Sequence, residues 1–82
     1  MNTQSFPLTM AAQGERVRLL RVNAGEALSS RLSAMGLTPG VEFSVIQDSG
    51  GPLLLGVRDS RLAVGRGMAQ KIFVELISGD FV

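Results

Sequence analysis

Arg31-Leu32-Ser33-Ala34-Met35-Gly36-Leu37-Thr38-Pro39-Gly40 is the stretch of this chain that decides its fold. Leu32 and Met35 lie three positions apart, which places them on one face of a helix and predicts that both face the core. Gly36 can adopt the left-handed conformation that ends a helix, and Pro39-Gly40 is typical of a tight turn. Residues 41–45 then alternate between apolar and polar side chains. The stretch therefore predicts a helix packed beside a small antiparallel sheet.

Similar patterns of alternation, helical spacing and turn residues occur on both sides of this stretch. We predict five strands, over residues 15–22, 41–45, 53–57, 61–64 and 72–77. The helix, from Glu26 to Gly36, follows the first strand, and residues 65–71 form a single helical turn before the last. Turn-forming residues at positions 48–52 and at Asp59-Ser60 separate the later strands. Short strands with turn-rich connections indicate a mainly β protein, a small barrel with one added helix.

Two segments are less regular. Residues 5–14 are expected to form one short helical turn that places Leu8 and Met10 in the core and ends at Gly14. In the first strand the alternation slips between Leu19 and Leu20, as it does at a β-bulge or where both faces are partly covered.

Length and charge limit what the protein can be. Its 82 residues predict one domain over positions 1–82, with a core from about 8 to 76 and mobile ends at 1–5 and 78–82. Met1 to Thr9 lack a signal-peptide pattern, and no apolar run approaches the roughly 20 residues that span a bilayer, so we expect a soluble protein without membrane insertion. The net charge of +1 is too small for strong capture of nucleic acid.

The residue types for most catalysis are missing. The chain has no His and no Cys, so it lacks the usual nucleophile-base pairs and the best transition-metal ligands. Glu42, Asp48 and Asp59 are interpreted as solvated or turn-capping carboxylates. Gly65-Arg66-Gly67 lacks the context of a phosphate-binding loop and is interpreted as a strand turning into a short helix. We therefore predict no enzyme, and assign no catalytic residue, metal ligand or cofactor.

Arginines are the charged residues that stand out. Arg16, Arg18 and Arg21 lie along the first strand and Arg58, Arg61 and Arg66 cluster later, so a basic face is possible. Without Tyr or Trp to stack on bases, and with acidic residues interspersed, nucleic-acid binding is not expected. Arg31 could present a guanidinium beside an apolar partner surface, or be a solvated side chain. Leu37 could cover the helix end or protrude toward a partner.

The ordered landmarks in this chain resemble those of the FeoA family of small cytoplasmic ferrous iron transport proteins. They are Arg31-Leu32, Met35-Gly36-Leu37, Pro39-Gly40, Leu62-Ala63-Val64, Ala69 and Ile72, and the resemblance extends from about Leu8 to Leu76. It implies an SH3-like barrel, a module also found at the end of some metal-dependent repressors. The chain departs from the family at Gly67, where many relatives have a better helix former, so the length of the final short helix stays open.

The resemblance also implies a cytoplasmic, non-catalytic accessory role in ferrous iron uptake. The implied partner is FeoB, a membrane transporter with a cytoplasmic GTP-binding domain. Matching positions place the contact, or its structural support, at Arg31, Leu32, Met35, Gly36 and Leu37. An alternative is a self-associating module that uses exposed apolar residues such as Ile46, Leu54 or Phe81, and a third is a nucleic-acid-binding barrel.

Overall fold

A computed structural model describes residues 4–77 of the chain. Its strands are β1 (Phe6–Pro7), β2 (Arg16–Val22), β3 (Glu42–Asp48), β4 (Leu53–Val57), β5 (Ser60–Val64) and β6 (Ile72–Leu76). A 3-10 turn spans Leu8–Met10, and the two helices are α1 (Glu26–Ala34) and α2 (Arg66–Ala69). All five predicted strands, the helix after the first of them and the short helix before the last are confirmed.

The strands form one antiparallel sheet in the order β1-β6-β2-β3-β4-β5. Strand β1 was not predicted, because two residues are too few to show an alternating pattern. It pairs Phe6 with Val74 and Pro7 with Phe73 at the edge of the sheet, where a proline is tolerated. In the described part of the chain β1 and β5 are the two edges. Within residues 4–77 the fold is mainly β, and its sheet is open between β1 and β5, so the predicted barrel is only approximate.

The predicted irregularity in the first strand is a bulge. Leu19 pairs with Val74 and Arg21 with Phe73, so Leu20 is an extra residue on β2. A bulge bends its strand and increases the local twist.

The core lies against one face of the sheet. Among the described residues the buried side chains are all apolar: Leu8, Ala11, Val17, Leu19, Leu32, Leu37, Phe43, Val45, Leu53, Leu55, Val57, Val64, Ala69, Ile72 and Val74. The expected inward faces of β3 and β4 are thereby confirmed, with Val41 half-buried just before β3. Helix α1 contributes Leu32, and α2 contributes Ala69.

Two methionines were wrongly predicted to be buried. Met10 is 72% exposed, because the 3-10 turn has three residues per revolution and a side chain two positions after buried Leu8 points away from the core. Met35 is 37% exposed because it follows the last residue of α1 as its C-cap, while Leu37 fills the adjacent core position. The expectations for residues 1–3 and 78–82, including Phe81 and Val82, lie outside the described residues.

No helix within residues 4–77 is both long and apolar enough to cross a bilayer.

Candidate interaction surface

The predicted site lies at the C-terminal end of α1. The helix begins after Gly25, whose carbonyl accepts the Ser29 amide at 3.1 Å. Glu26 lies in the first turn and Arg31 in the last turn, the arrangement of charges that the helix dipole favours. Local chemistry therefore supports a short helix without a side-chain cap at its start.

A Schellman motif ends the helix. The Gly36 amide donates to the Ser33 carbonyl at 2.9 Å, and the Leu37 amide donates back to the Leu32 carbonyl at 2.9 Å. These two hydrogen bonds define the motif. They require a positive φ at the residue that follows the C-cap. Gly36 supplies it with φ +94°. The motif brings Leu32 and Leu37 together on the core side of the helix end.

The chain then makes the predicted tight turn. The Val41 amide donates to the Thr38 carbonyl at 3.0 Å across Pro39-Gly40, and Gly40 has φ +93°, as a type II turn requires. The Gly40 amide donates to Leu19 on β2 at 2.7 Å, and the Leu19 amide donates to Val41 at 2.9 Å. The segment between α1 and β3 is therefore hydrogen-bonded to the sheet.

The structure divides the predicted site residues into two groups. Leu32 and Leu37 are buried and Gly36 provides the turn, so these three residues hold the helix end in place. Arg31 and Met35 are exposed. The Met35 amide donates to the Arg31 carbonyl at 3.2 Å, so these two exposed residues are one helical turn apart at the end of α1. Of the two possibilities for Leu37, covering the helix end is the correct one.

Cross-strand ion pairs were not predicted from the sequence. Arg18 on β2 donates to Glu75 on β6 at 2.7 Å and to Glu42 on β3 at 2.9 Å. The hydrogen bond to Glu75, and to a smaller extent the one to Glu42, raises the pKa of Arg18 above its ordinary value. Glu42 is thus an ion-pair partner and not merely a solvated carboxylate. The partners are far apart in sequence, and only the strand register joins them.

Asp48 also has a larger role than expected. Its Oδ1 accepts the Gly50 amide at 3.3 Å, which confirms the turn-capping interpretation, and it also accepts Nη2 of Arg66. The Arg66 guanidinium, and secondarily the Gly50 amide, lower the pKa of Asp48 below its ordinary value. This pair links the end of β3 to α2.

The expected basic face is smaller than the arginine count suggested. Arg18 and Arg66 are engaged by carboxylates, and the Arg21 guanidinium lies 4.5 Å from the centroid of the Phe73 ring. Ile46 and Leu54, considered for self-association, are only half-exposed on the outer side of the sheet. Within the described residues, no three acidic side chains are placed to hold a metal ion.

Comparison with known proteins gives one consistent result. The family model of the FeoA domain matches residues 6–76. A Methanocaldococcus jannaschii protein with the provisional name Fe(2+) transport protein A is 39% identical over 70 residues, which cover 85% of each chain.

Solved structures show the same fold. The crystal structure of an iron uptake regulatory protein, FeoA, superposes with a TM-score of 0.81 at 27% identity and covers 90% of this chain and 99% of its own. ScaR with bound Zn²⁺ superposes with a TM-score of 0.78 at 26% identity, covering 88% of this chain but only 37% of its own. A manganese-dependent transcriptional repressor superposes with a TM-score of 0.81 and covers 44% of its own chain, so the expected likeness in fold to a module of metal-dependent repressors is confirmed.

Proposed function

Since the chain belongs to the FeoA family of ferrous iron transport accessory proteins, we propose that it binds the cytoplasmic part of the transporter FeoB and modulates it. The contact is made by the outward face of α1. The protein acts by binding and not by catalysis, in keeping with a chain that has neither His nor Cys.

The exposed pair Arg31 and Met35 is the observation that carries this proposal. Arginine combines a planar donor group with an apolar stem, and methionine adapts its shape to a partner surface. Both residue types are enriched at protein–protein interfaces, and arginine is also enriched among the residues that contribute most of the binding energy. The pair extends from a helix end that the Schellman motif and the type II turn hold against the sheet, which lowers the ordering cost of binding.

Modulation requires more than contact. A binding protein shifts a transporter between conformations only if its affinity for those conformations differs. We therefore expect different affinities for the GTP-bound and nucleotide-free forms of the FeoB cytoplasmic domain. A tenfold difference corresponds to about 1.4 kcal/mol of coupling.

The test is calorimetric titration of this protein with the FeoB cytoplasmic domain in both nucleotide states. Arg31→Ala and Met35→Ala should each weaken binding by about 1 kcal/mol or more, roughly fivefold, if they lie near the centre of the interface. Lys71→Ala is the matched control, because it also removes one exposed positive charge but lies outside α1. Thermal unfolding of each variant checks that the fold is kept.

The outcomes are distinguishable. Loss of binding in the α1 variants with retention in the control supports the proposed surface. Equal binding by all variants places the contact elsewhere on the protein. No association with the isolated domain or with the full membrane transporter would rule out the proposed partner. Ferrous iron uptake by a deletion strain complemented with each variant tests whether the contact matters in cells.

A further inference from the structure

The outer surface of the sheet carries a row of four residues in register across four strands. Arg16 on β2 is opposite Ser44 on β3, Ser44 is opposite Gly56 on β4, and Gly56 is opposite Arg61 on β5. Both arginines are exposed. The row places two small residues between two long cationic ones, although the four are widely separated in sequence.

An open depression of about 410 Å³ lies over this row. Neighbouring strands are about 4.8 Å apart, so the Cα atoms of Arg16 and Arg61 are about 14 Å apart along the sheet. Arg58 and Ser60 also line the depression, next to Arg61. Three guanidinium groups and two serine hydroxyls therefore border one open space, and all of them can donate hydrogen bonds.

The positive charge here is not cancelled locally. Among residues 4–77, neither Arg58 nor Arg61 is in an ion pair. Arg16 has one contact, at 3.8 Å, with Glu42, a carboxylate that Arg18 holds at 2.9 Å. Asp59 is the acidic residue that lines the depression. The three arginines are therefore opposed by the Asp59 carboxylate and by Glu42, which is also paired with Arg18.

Arg58 has an unusual backbone. Its φ is +57°, and among the described residues no other non-glycine residue has a positive φ. Arg58 lies in the two-residue turn that joins β4 to β5. Glycine and asparagine adopt this conformation at lower cost in hairpin turns. The turn itself does not require arginine, and strained residues of this kind cluster at ligand sites.

We propose that this depression binds the phosphate group of a small molecule or headgroup, with Arg16, Arg58 and Arg61 as its cationic contacts. Guanidinium groups bind phosphate oxygens in bidentate fashion, and the Ser44 and Ser60 hydroxyls add donors. Gly56 adds no side chain to the middle of the row, and Ile46 Cδ1 lies 2.9 Å from where its Cβ would be, so Ile46 covers this position. The site lies on the sheet and not on α1, so its existence does not depend on the proposed transporter contact.

The first experiment is an NMR titration of the ¹⁵N-labelled full chain with inorganic phosphate, with ionic strength held constant by sodium chloride. We expect saturable shifts centred on the Ser44, Gly56 and Arg61 amides. A dissociation constant on the order of 1 mM is reasonable for a single exposed phosphate. Shifts that do not saturate, or that are equally large around Lys71, would overturn the proposal.

Variants separate binding from folding. Arg58→Asn keeps a residue suited to positive φ and removes the guanidinium, so thermal stability should be retained while phosphate affinity falls about tenfold. Arg61→Gln should have a similar effect on affinity, and Lys71→Gln, a control with the same loss of charge, should have none. Unchanged affinity in folded Arg58→Asn and Arg61→Gln proteins would contradict the site.

A second experiment distinguishes the two sources of phosphate. Cosedimentation is measured with phosphatidylcholine vesicles, with and without phosphatidic acid. Saturable binding of inorganic phosphate without vesicle binding indicates a soluble ligand. Binding of both, sensitive to Arg61→Gln, indicates a lipid headgroup. Vesicle binding without a saturable response to inorganic phosphate would overturn the proposal.

Discussion

Shortening Leu32 to alanine tests whether this residue supports the helix end or contacts a partner directly. Leu32 is fully buried and lies on the core side of the Schellman motif, next to Leu37. Replacing a fully buried leucine with alanine costs about 2–5 kcal/mol, because apolar burial is lost and a cavity remains. A domain of 82 residues has a total stability of roughly 4–12 kcal/mol. The variant should therefore be much less stable than wild type, and it is folded where the wild-type stability exceeds this cost.

Urea and thermal unfolding of wild type and Leu32→Ala measure this loss. A decrease of 3 kcal/mol would lower the Tm by about 12–24 °C in a domain of this size. Met35→Ala is the internal comparison, because the Met35 side chain is 37% exposed at the C-cap of α1, so the variant should lose less than about 1 kcal/mol.

The two variants together decide between the roles. A loss below about 1 kcal/mol for Leu32→Ala, or a larger loss for Met35→Ala than for Leu32→Ala, would refute the division of the helix end into a buried and an outward face. Weak FeoB binding by Leu32→Ala can then be corrected for its unfolded fraction before any contact is assigned to Leu32.

Two further predictions concern Gly36 at the end of α1 and the Asp48–Arg66 ion pair that links β3 to α2. Gly36→Ala should destabilise the protein by about 1 kcal/mol through backbone strain alone, since an added Cβ would meet nothing closer than Val57 Cγ1 at 4.0 Å. Gly36→Asn should be milder in the same thermal unfolding assay, and an unaffected Gly36→Ala protein would contradict the strain argument. Because Arg66 lowers the pKa of folded Asp48 below the ordinary value of 3.8, the stability from this group is complete above that value and is lost as the pH falls through the lowered pKa. Urea unfolding between about pH 6 and pH 2 should therefore show a smaller decline for Asp48→Asn than for wild type, and equal declines would show that the pair adds nothing.

The features that sequence predicted correctly are those fixed by local backbone chemistry. Glycine adopts positive φ at little cost and proline has a fixed φ, so the end of α1 at Gly36 and the turn into β3 at Pro39-Gly40 could be located. The slip in alternation at Leu20 likewise indicated the bulge on β2. Strand β1 could not be found this way, since only its pairing with β6 makes its two residues a strand.

Burial at the ends of elements was harder to predict. Helical spacing put Met35 on the same face as Leu32, but it does not say where the core stops along the helix. The chain leaves the helical conformation at Met35, which exposes it, and Leu37 packs in its place. The sequence therefore indicated all five residues of the predicted site. It did not distinguish the exposed Arg31 and Met35 from the three residues that support the helix end.

Charge is where register matters most. Composition and spacing indicated arginine-rich segments, but the pairing of β2 with β3 and β6 decides which arginines are available. Arg18 is held by two carboxylates, so an extended polyanion could use it only by displacing Glu42 and Glu75. Charges are screened beyond about 8 Å at physiological ionic strength, so the remaining arginines act at contact range and not by long-range steering. The proposed phosphate site on the sheet and the proposed mixed charged and apolar contact on α1 both depend on such short-range contacts.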